Sequence, residues 1–140
     1  MSILQLMIGK WKHDRDSDDD DLIEVLMQGM GLPLAVARIT ACSSPVINIS
    51  QNGDVYCIQF DIEKQSFVAT FKIGQPFDEM TNPMGKKRKS LTYIDDEGRL
   101  VMKAVDPKDT FISIWNVQGD ELTTTLVDDD EKAVRYYHRV

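Results

Sequence analysis

The sequence predicts a mainly β fold: an antiparallel meander interrupted once, near its start, by two short helices. Three observations carry this. From residue 46 onward, apolar and polar residues alternate with the period of two expected of half-buried strands. Turn-forming clusters recur about every ten residues, which is the rhythm of successive hairpins. Between residues 16 and 42 the alternation stops and a helical pattern replaces it.

The first strand is expected in "LQLMIGKWKHD", where Leu4, Leu6, Ile8 and Lys10 share one parity and Met7, Gly9 and Trp11 the other. "DSDDDDLIEVLMQ" follows, an acidic entry before Leu22, Ile23, Val25, Leu26 and Met27. Carboxylates at a helix N-terminus are favoured by capping and by the macrodipole. "GMG" breaks this helix and "LPLAVARITAC" restarts it, with Pro33 tolerable in a first turn. The two helices form a lid-like hairpin over about 18–42.

The strands then follow in order. "VINIS" meets "QNGD", a strong hairpin signal. In "VYCIQFDI" Tyr56, Ile58, Phe60 and Ile62 oppose Cys57, Gln59, Asp61 and Glu63. "SFVATFKI" places Phe67, Ala69, Phe71 and Ile73 on one face. After "QPFDEMT" and a turn through "NPMG", the segments "KRKSLTYI", "RLVMKAV", "TFISIWNV", "LTTTLV" and "KAVRYYHRV" complete the series. A sheet of this kind must hide its edges, and closure into a barrel does so.

A chain of 140 residues fits one domain, 1–140, with a real core. The net charge of −7 argues against nucleic acid as the partner, because phosphate binding needs a basic surface. No apolar run approaches the length of a membrane span, and the N-terminal segment lacks the features of a signal peptide. Cys42 and Cys57 make no disulfide framework and have no CxxC spacing, which points to a reduced, cytoplasmic setting. His13 and His138 have no ligand-spaced companions, so no metal site is expected. There is no nucleophile elbow, P-loop or dinucleotide fingerprint, and no catalytic residue is assigned.

Four motifs occur in a telling order: "IGKWK" near the start, "NGD" after the first post-helix strand, "TFKIGQPFDEMT" mid-chain and "RYYHRV" at the end. Together they resemble the intracellular lipid-binding proteins, specifically the fatty-acid-binding proteins, over nearly the whole chain. The resemblance implies a ten-stranded antiparallel up-and-down barrel, or β-clam, with a helical lid. It implies non-enzymatic binding and transport of a long-chain fatty acid or similar lipid, by a monomer that needs no cofactor. A ten-stranded barrel is wider than one its side chains just fill, so an internal cavity is reasonable. The cavity set would be Ile47, Ile49, Tyr56, Ile58, Phe60, Phe67, Phe71, Trp115 and Leu126. On alternation alone the same residues also suit an ordinary closed core.

In "KAVRYYHRV" strand parity puts Arg135, Tyr137 and Arg139 on one face. Residue type alone favours an exposed Arg135. The resemblance implies instead that Arg135 and Tyr137 face the cavity and hold the lipid carboxylate, a guanidinium fork with a hydroxyl beside it. An inward arginine without a partner would be costly in the empty protein, so replacing it with leucine would keep or raise stability.

The chain departs from the family pattern in places. A second arginine is expected in the eighth strand, and Trp115 stands there; it would stack on Arg135, shorten the cavity or tilt the ligand. Lys64 takes the place of a lid phenylalanine, and "DSDDDD" replaces the usual entry to the first helix. The basic run "GKKRKS", with its 86–89 patch, reads as a solvated turn and strand start, or as a transient contact with an anionic membrane or an import receptor. Two alternative functions stand beside the fatty-acid carrier: a barrel that acts mainly as a protein-interaction module, and a carrier of a retinoid or other lipid.

Overall fold

The computed structural model describes residues 2–29, 34–62, 65–78 and 88–140. Part of the "GMG" break, Pro33, Lys64, the "NPMG" turn, Lys86 and Lys87 lie outside the described residues. The strands are β1 (Gly9–Asp16), β2 (Val46–Asn52), β3 (Val55–Ile62), β4 (Gln65–Phe71), β5 (Phe77–Asp78), β6 (Lys89–Ile94), β7 (Leu100–Ala104), β8 (Phe111–Gln118), β9 (Glu121–Asp128) and β10 (Glu131–Arg139). They form one ten-stranded sheet in the order β4-β3-β2-β1-β10-β9-β8-β7-β6-β5. Every pairing is antiparallel, and the first strand pairs with the last.

The predicted alternation is what folds the sheet. In β8, Phe111, Ser113, Trp115 and Val117 are buried while their neighbours are partly open. In β10 the inward residues are Ala133, Arg135 and Tyr137. Gly53 serves the Asn-Gly hairpin with φ +65°. The two ends of the ladder, β4 and β5, meet through side chains: the Phe71 and Phe77 rings lie 5.4 Å apart. Nearby, the Gly74 N–H donates to the Thr92 carbonyl at 2.9 Å. The sheet thus curls into a nearly closed barrel.

The helical hairpin is α2 (Asp20–Gly29) and α3 (Leu34–Cys42). Asp19 caps α2: its Oδ1 accepts from the Leu22 N–H at 3.1 Å. Ile23, Leu26 and Met27 recur at helical spacing and are buried with Ala37 and Ala41 of α3. They pack on Phe111, Leu126 and Ala133 of the sheet.

The N-terminus differs from expectation. Residues Ile3–Met7 form a third, five-residue helix, α1, and the strand starts only at Gly9. The buried residues are Ile3, Leu4 and Met7, a helical spacing that parity along a strand had obscured. Ser2 caps the turn through its side chain. Arg139, from the far end of the chain, donates to the Leu6 and Ile8 carbonyls at 3.1 and 3.2 Å. That satisfies acceptors which a helix end leaves open. The same guanidinium covers the Trp11 ring at 4.1 Å, and the Trp11 indole N–H donates to the Met7 carbonyl.

Gly9 makes this corner turn. Its φ is +137°, and an added Cβ would sit 2.8 Å from the Arg139 Nη1. The arginine tip can move, but the backbone conformation remains unfavourable for an L side chain. Gly9→Ala should therefore cost about 1–3 kcal/mol, read as a lower urea midpoint. An unchanged midpoint would show that the corner relaxes freely.

Candidate functional site

β1 is regular only as far as His13. Pairing with β10 runs His13 to Tyr137, then skips to Arg15 with Tyr136 and Asp16 with Arg135. Asp14 is the extra residue of a bulge, which shifts the alternation by one. Trp11, His13 and Asp16 consequently share the inward face, although 13 and 16 differ in parity. Asp16 sits directly across from Arg135.

Arg135 is fully buried. Its Nε donates to Asp16 Oδ1 at 2.9 Å, its Nη1 to the Thr40 carbonyl at 3.1 Å and its Nη2 to the Ser43 carbonyl at 3.3 Å. The last two acceptors belong to the end of α3 and the turn after it. His13 Nε2 lies 2.8 Å from the same Asp16 oxygen and 3.3 Å from Arg135 Nη2. One ring nitrogen cannot donate to the carboxylate and accept from the arginine together. The shorter contact places a proton on Nε2, donated to Asp16. In the neutral ring Nδ1 is then a buried acceptor, and it has no hydrogen-bond partner among the described residues.

The electrostatics follow from this geometry. Burial pushes the Asp16 carboxyl up, but the His13 hydrogen bond and the Arg135 charge outweigh it and hold it below the ordinary aspartate value. Burial raises the Tyr137 phenol, against the opposing pull of Arg135. Tyr137 packs edge-on against the His13 ring at 5.5 Å and hydrogen bonds to Thr124. The first aspartate of "DSDDDD" is thus a counter-ion inside the barrel, while the helix cap begins further on.

Ser113, Thr124 and Arg135 are buried on three neighbouring strands, and Asp16, only slightly exposed, extends this polar belt onto β1. On one side of it lies the main apolar cluster, with Trp11, Ile47, Ile49, Ile58, Phe67, Phe71, Trp115 and Tyr137. Tyr56 and Phe60 pack against that cluster half-buried. On the other side lies the cluster under the helices, which takes Leu126. Trp115 does not stack on Arg135. Thr124 stands between them in the ladder, and the indole N–H donates to Ser113 Oγ at 3.2 Å. Its ring meets Phe60 edge-on at 6.0 Å.

A second buried arginine comes from the basic run. Arg88 is 6 % exposed, so it does not belong to a solvated patch. Its Nε donates to Asp109 at 2.7 Å and its Nη2 to the Phe111 carbonyl at 2.6 Å. The guanidinium also covers the Phe111 ring at 5.1 Å. Lys89 next to it is exposed. Among the described residues no His, Cys, Asp and Glu cluster could hold a metal ion, and no helix is long and apolar enough to cross a membrane.

Known proteins share this plan. The chain is 30 % identical over 133 residues to the 14 kDa fatty acid-binding protein of Schistosoma mansoni, covering 95 % of this chain and 96 % of that one. It is 32 % identical over 136 residues to cellular retinoic acid-binding protein 2 of Bos taurus, covering 94 % and 96 %. The chain belongs to the lipid-binding protein family of these two relatives. A solved structure of the schistosome fatty acid binding protein in complex with arachidonic acid superposes with a TM-score of 0.81 at 28 % identity, over 99 % of this chain and 98 % of that one. A scan against protein-family models finds no match.

Within the family frame, the expected residues fall on the inward face, and Arg135 and Tyr137 stand two apart on β10. Sequence reasoning missed His13, Asp16 and Thr124. His13 shares parity with Trp11, so a signal for it existed. Asp16 is concealed by the bulge, and Thr124 looks like any strand threonine.

The counter-ion reverses one expectation. Arg135→Leu would leave Asp16 buried beside a missing partner, so it should destabilise the protein by about 3–5 kcal/mol, measured by urea unfolding. Stability equal to or above the parent would mean that the pair contributes nothing. Asp109 offers a pH test. Burial raises its carboxyl, but hydrogen bonds from Arg88 and the Phe111 N–H, with the Arg88 charge, hold it below 3.8. A depressed folded value gives stability that is present above the unfolded value and lost as pH falls through the folded one. Asp109→Asn should therefore be less stable than the parent by about 1.5–3 kcal/mol near neutrality. The gap should close only below 3.8. A gap independent of pH would locate the loss in packing.

Proposed function

We propose that the barrel is a non-enzymatic carrier that holds one long-chain fatty acid, or a lipid of similar shape, in an internal cavity. The observation that carries this is the division of a single inward face into a broad apolar wall and a buried polar belt. The lipid tail lies along Ile47, Ile49, Tyr56, Ile58, Phe60, Phe67, Phe71 and Trp115, with Leu126 under the helices. Its polar end turns toward Arg135 and Tyr137. Burial of the tail drives binding, at about 25 cal/mol per Å² of apolar surface removed from water. The bound arachidonic acid in the schistosome relative supports a fatty acid.

No bond is made or broken in this reading, so the residues orient and solubilise. The α2–α3 hairpin is the lid through which the ligand passes. The carrier works as a monomer in the cytoplasm, in keeping with its free cysteines Cys42 and Cys57. Contact with an anionic membrane would draw on Lys89, with Lys86 and Lys87, but not on the buried Arg88. The retinoic acid-binding relatives favour a second reading, in which the ligand is a retinoid.

Titration with a fluorescent fatty acid should show saturable one-to-one binding, displaced by oleate. Native mass spectrometry of protein purified without delipidation should show one lipid-sized adduct. Displacement by retinoic acid and not by oleate would select the retinoid; displacement by neither would sink both acid ligands, and no displacement by any long-chain lipid would sink the carrier reading.

A further inference from the structure

An incoming carboxylate needs donors at Arg135 and a net positive charge behind them. A guanidinium has five N–H donors. Here Nε serves Asp16, and Nη1 and Nη2 each give one N–H to the carbonyls of Thr40 and Ser43, so three of the five are engaged within the protein. The charge, by contrast, is balanced outright: Asp16 lies in contact with Arg135, and its side chain is 10 % exposed. A second carboxylate brought to this arginine would meet Asp16 as a like charge, at low effective dielectric. Asp16 is not loosely held either, since the same oxygen also accepts a hydrogen bond from His13 Nε2. His13 Nδ1, an acceptor in the neutral ring, is buried and lacks a partner among the described residues. An ionised carboxylate has no proton to donate to it, whereas a hydroxyl does.

We infer that Asp16 is a resident carboxylate occupying the place of the ligand's own at Arg135, and that it sets headgroup specificity against an ionised acid and toward an uncharged, hydroxyl-bearing lipid. The inference rests on the carrier reading: it keeps the apolar tail and its wall and changes the preferred headgroup from a carboxylate to a hydroxyl. Asp16 acts through Arg135 and His13, so it is a positioning residue. Its signature is the ratio of acid to alcohol affinity, not affinity as such.

The test is competition between oleate and oleyl alcohol for an uncharged solvatochromic dye bound by the full chain, at a pH where oleate is ionised. In the parent protein the alcohol should bind at least as tightly as the acid. Asp16→Asn keeps an acceptor for Arg135 but removes the charge, and should shift the ratio toward the acid by about tenfold or more. The double change Asp16→Asn with Arg135→Gln should abolish that shift. A parent that binds the acid more tightly than the alcohol would overturn the inference without need of any variant. So would a folded Asp16→Asn protein whose ratio moves by less than about tenfold, or a shift that survives in the double variant. If neither lipid displaces the dye from the parent, the carrier reading itself fails, and this inference falls with it.

Discussion

A guanidinium removed from water must be met by an opposite charge and by enough acceptors, or the fold that buries it does not form. Arg135 imposes that condition on its surroundings. Asp16 supplies the charge and the end of α3 supplies two carbonyls. To bring Asp16 inward, β1 accepts a bulge at Asp14. To bring the carbonyls within reach, α3 must end over β10. One side chain thereby ties the first strand, the last strand and the helical hairpin to a single point.

That point also divides the interior. The polar belt of Ser113, Thr124, Arg135 and Asp16 separates the cluster under the helices from the main apolar wall. An all-apolar interior of the same size would close on itself, because apolar side chains gain by mutual contact. Polar groups whose hydrogen bonds are already met, Ser113 by Trp115, Thr124 by Tyr137 and Arg135 by Asp16, have less to gain from collapse. The same guanidinium holds the end of α3. A ligand that changed the bonds of Arg135 would change the anchoring of the hairpin as well.

The opposite end of β10 repeats the device in a milder form. Arg139 is partly exposed, yet its donors cap the carbonyls of α1 and its plane lies on Trp11. Two arginines of equal parity on one strand therefore do different work. One balances a buried carboxylate; the other fastens the N-terminal turn to the C-terminus. Arg88 adds a third solution, a carboxylate on one side and an aromatic face on the other.

What the sequence determined by itself was the periodic part of the molecule. Strand alternation, turn spacing and the "NGD" hairpin made the meander legible, because each depends on residues close along the chain. The acidic entry marked the first helix for the same reason. The inward set of Ile47, Ile58, Phe67, Phe71 and Trp115 followed from parity, and the Arg135 and Tyr137 pair from its likeness to a family motif. Tertiary structure decided the rest. Whether Ile3 to Met7 became strand or helix depended on Arg139, more than a hundred residues away, capping its carbonyls. Whether Arg88 was solvated depended on Asp109. Whether Asp16 belonged to a helix cap or to the interior depended on one bulged residue that inverts parity for all that follows it. A period of two states which residues share a face only while the register is unbroken, and register is a property of two strands, not of one.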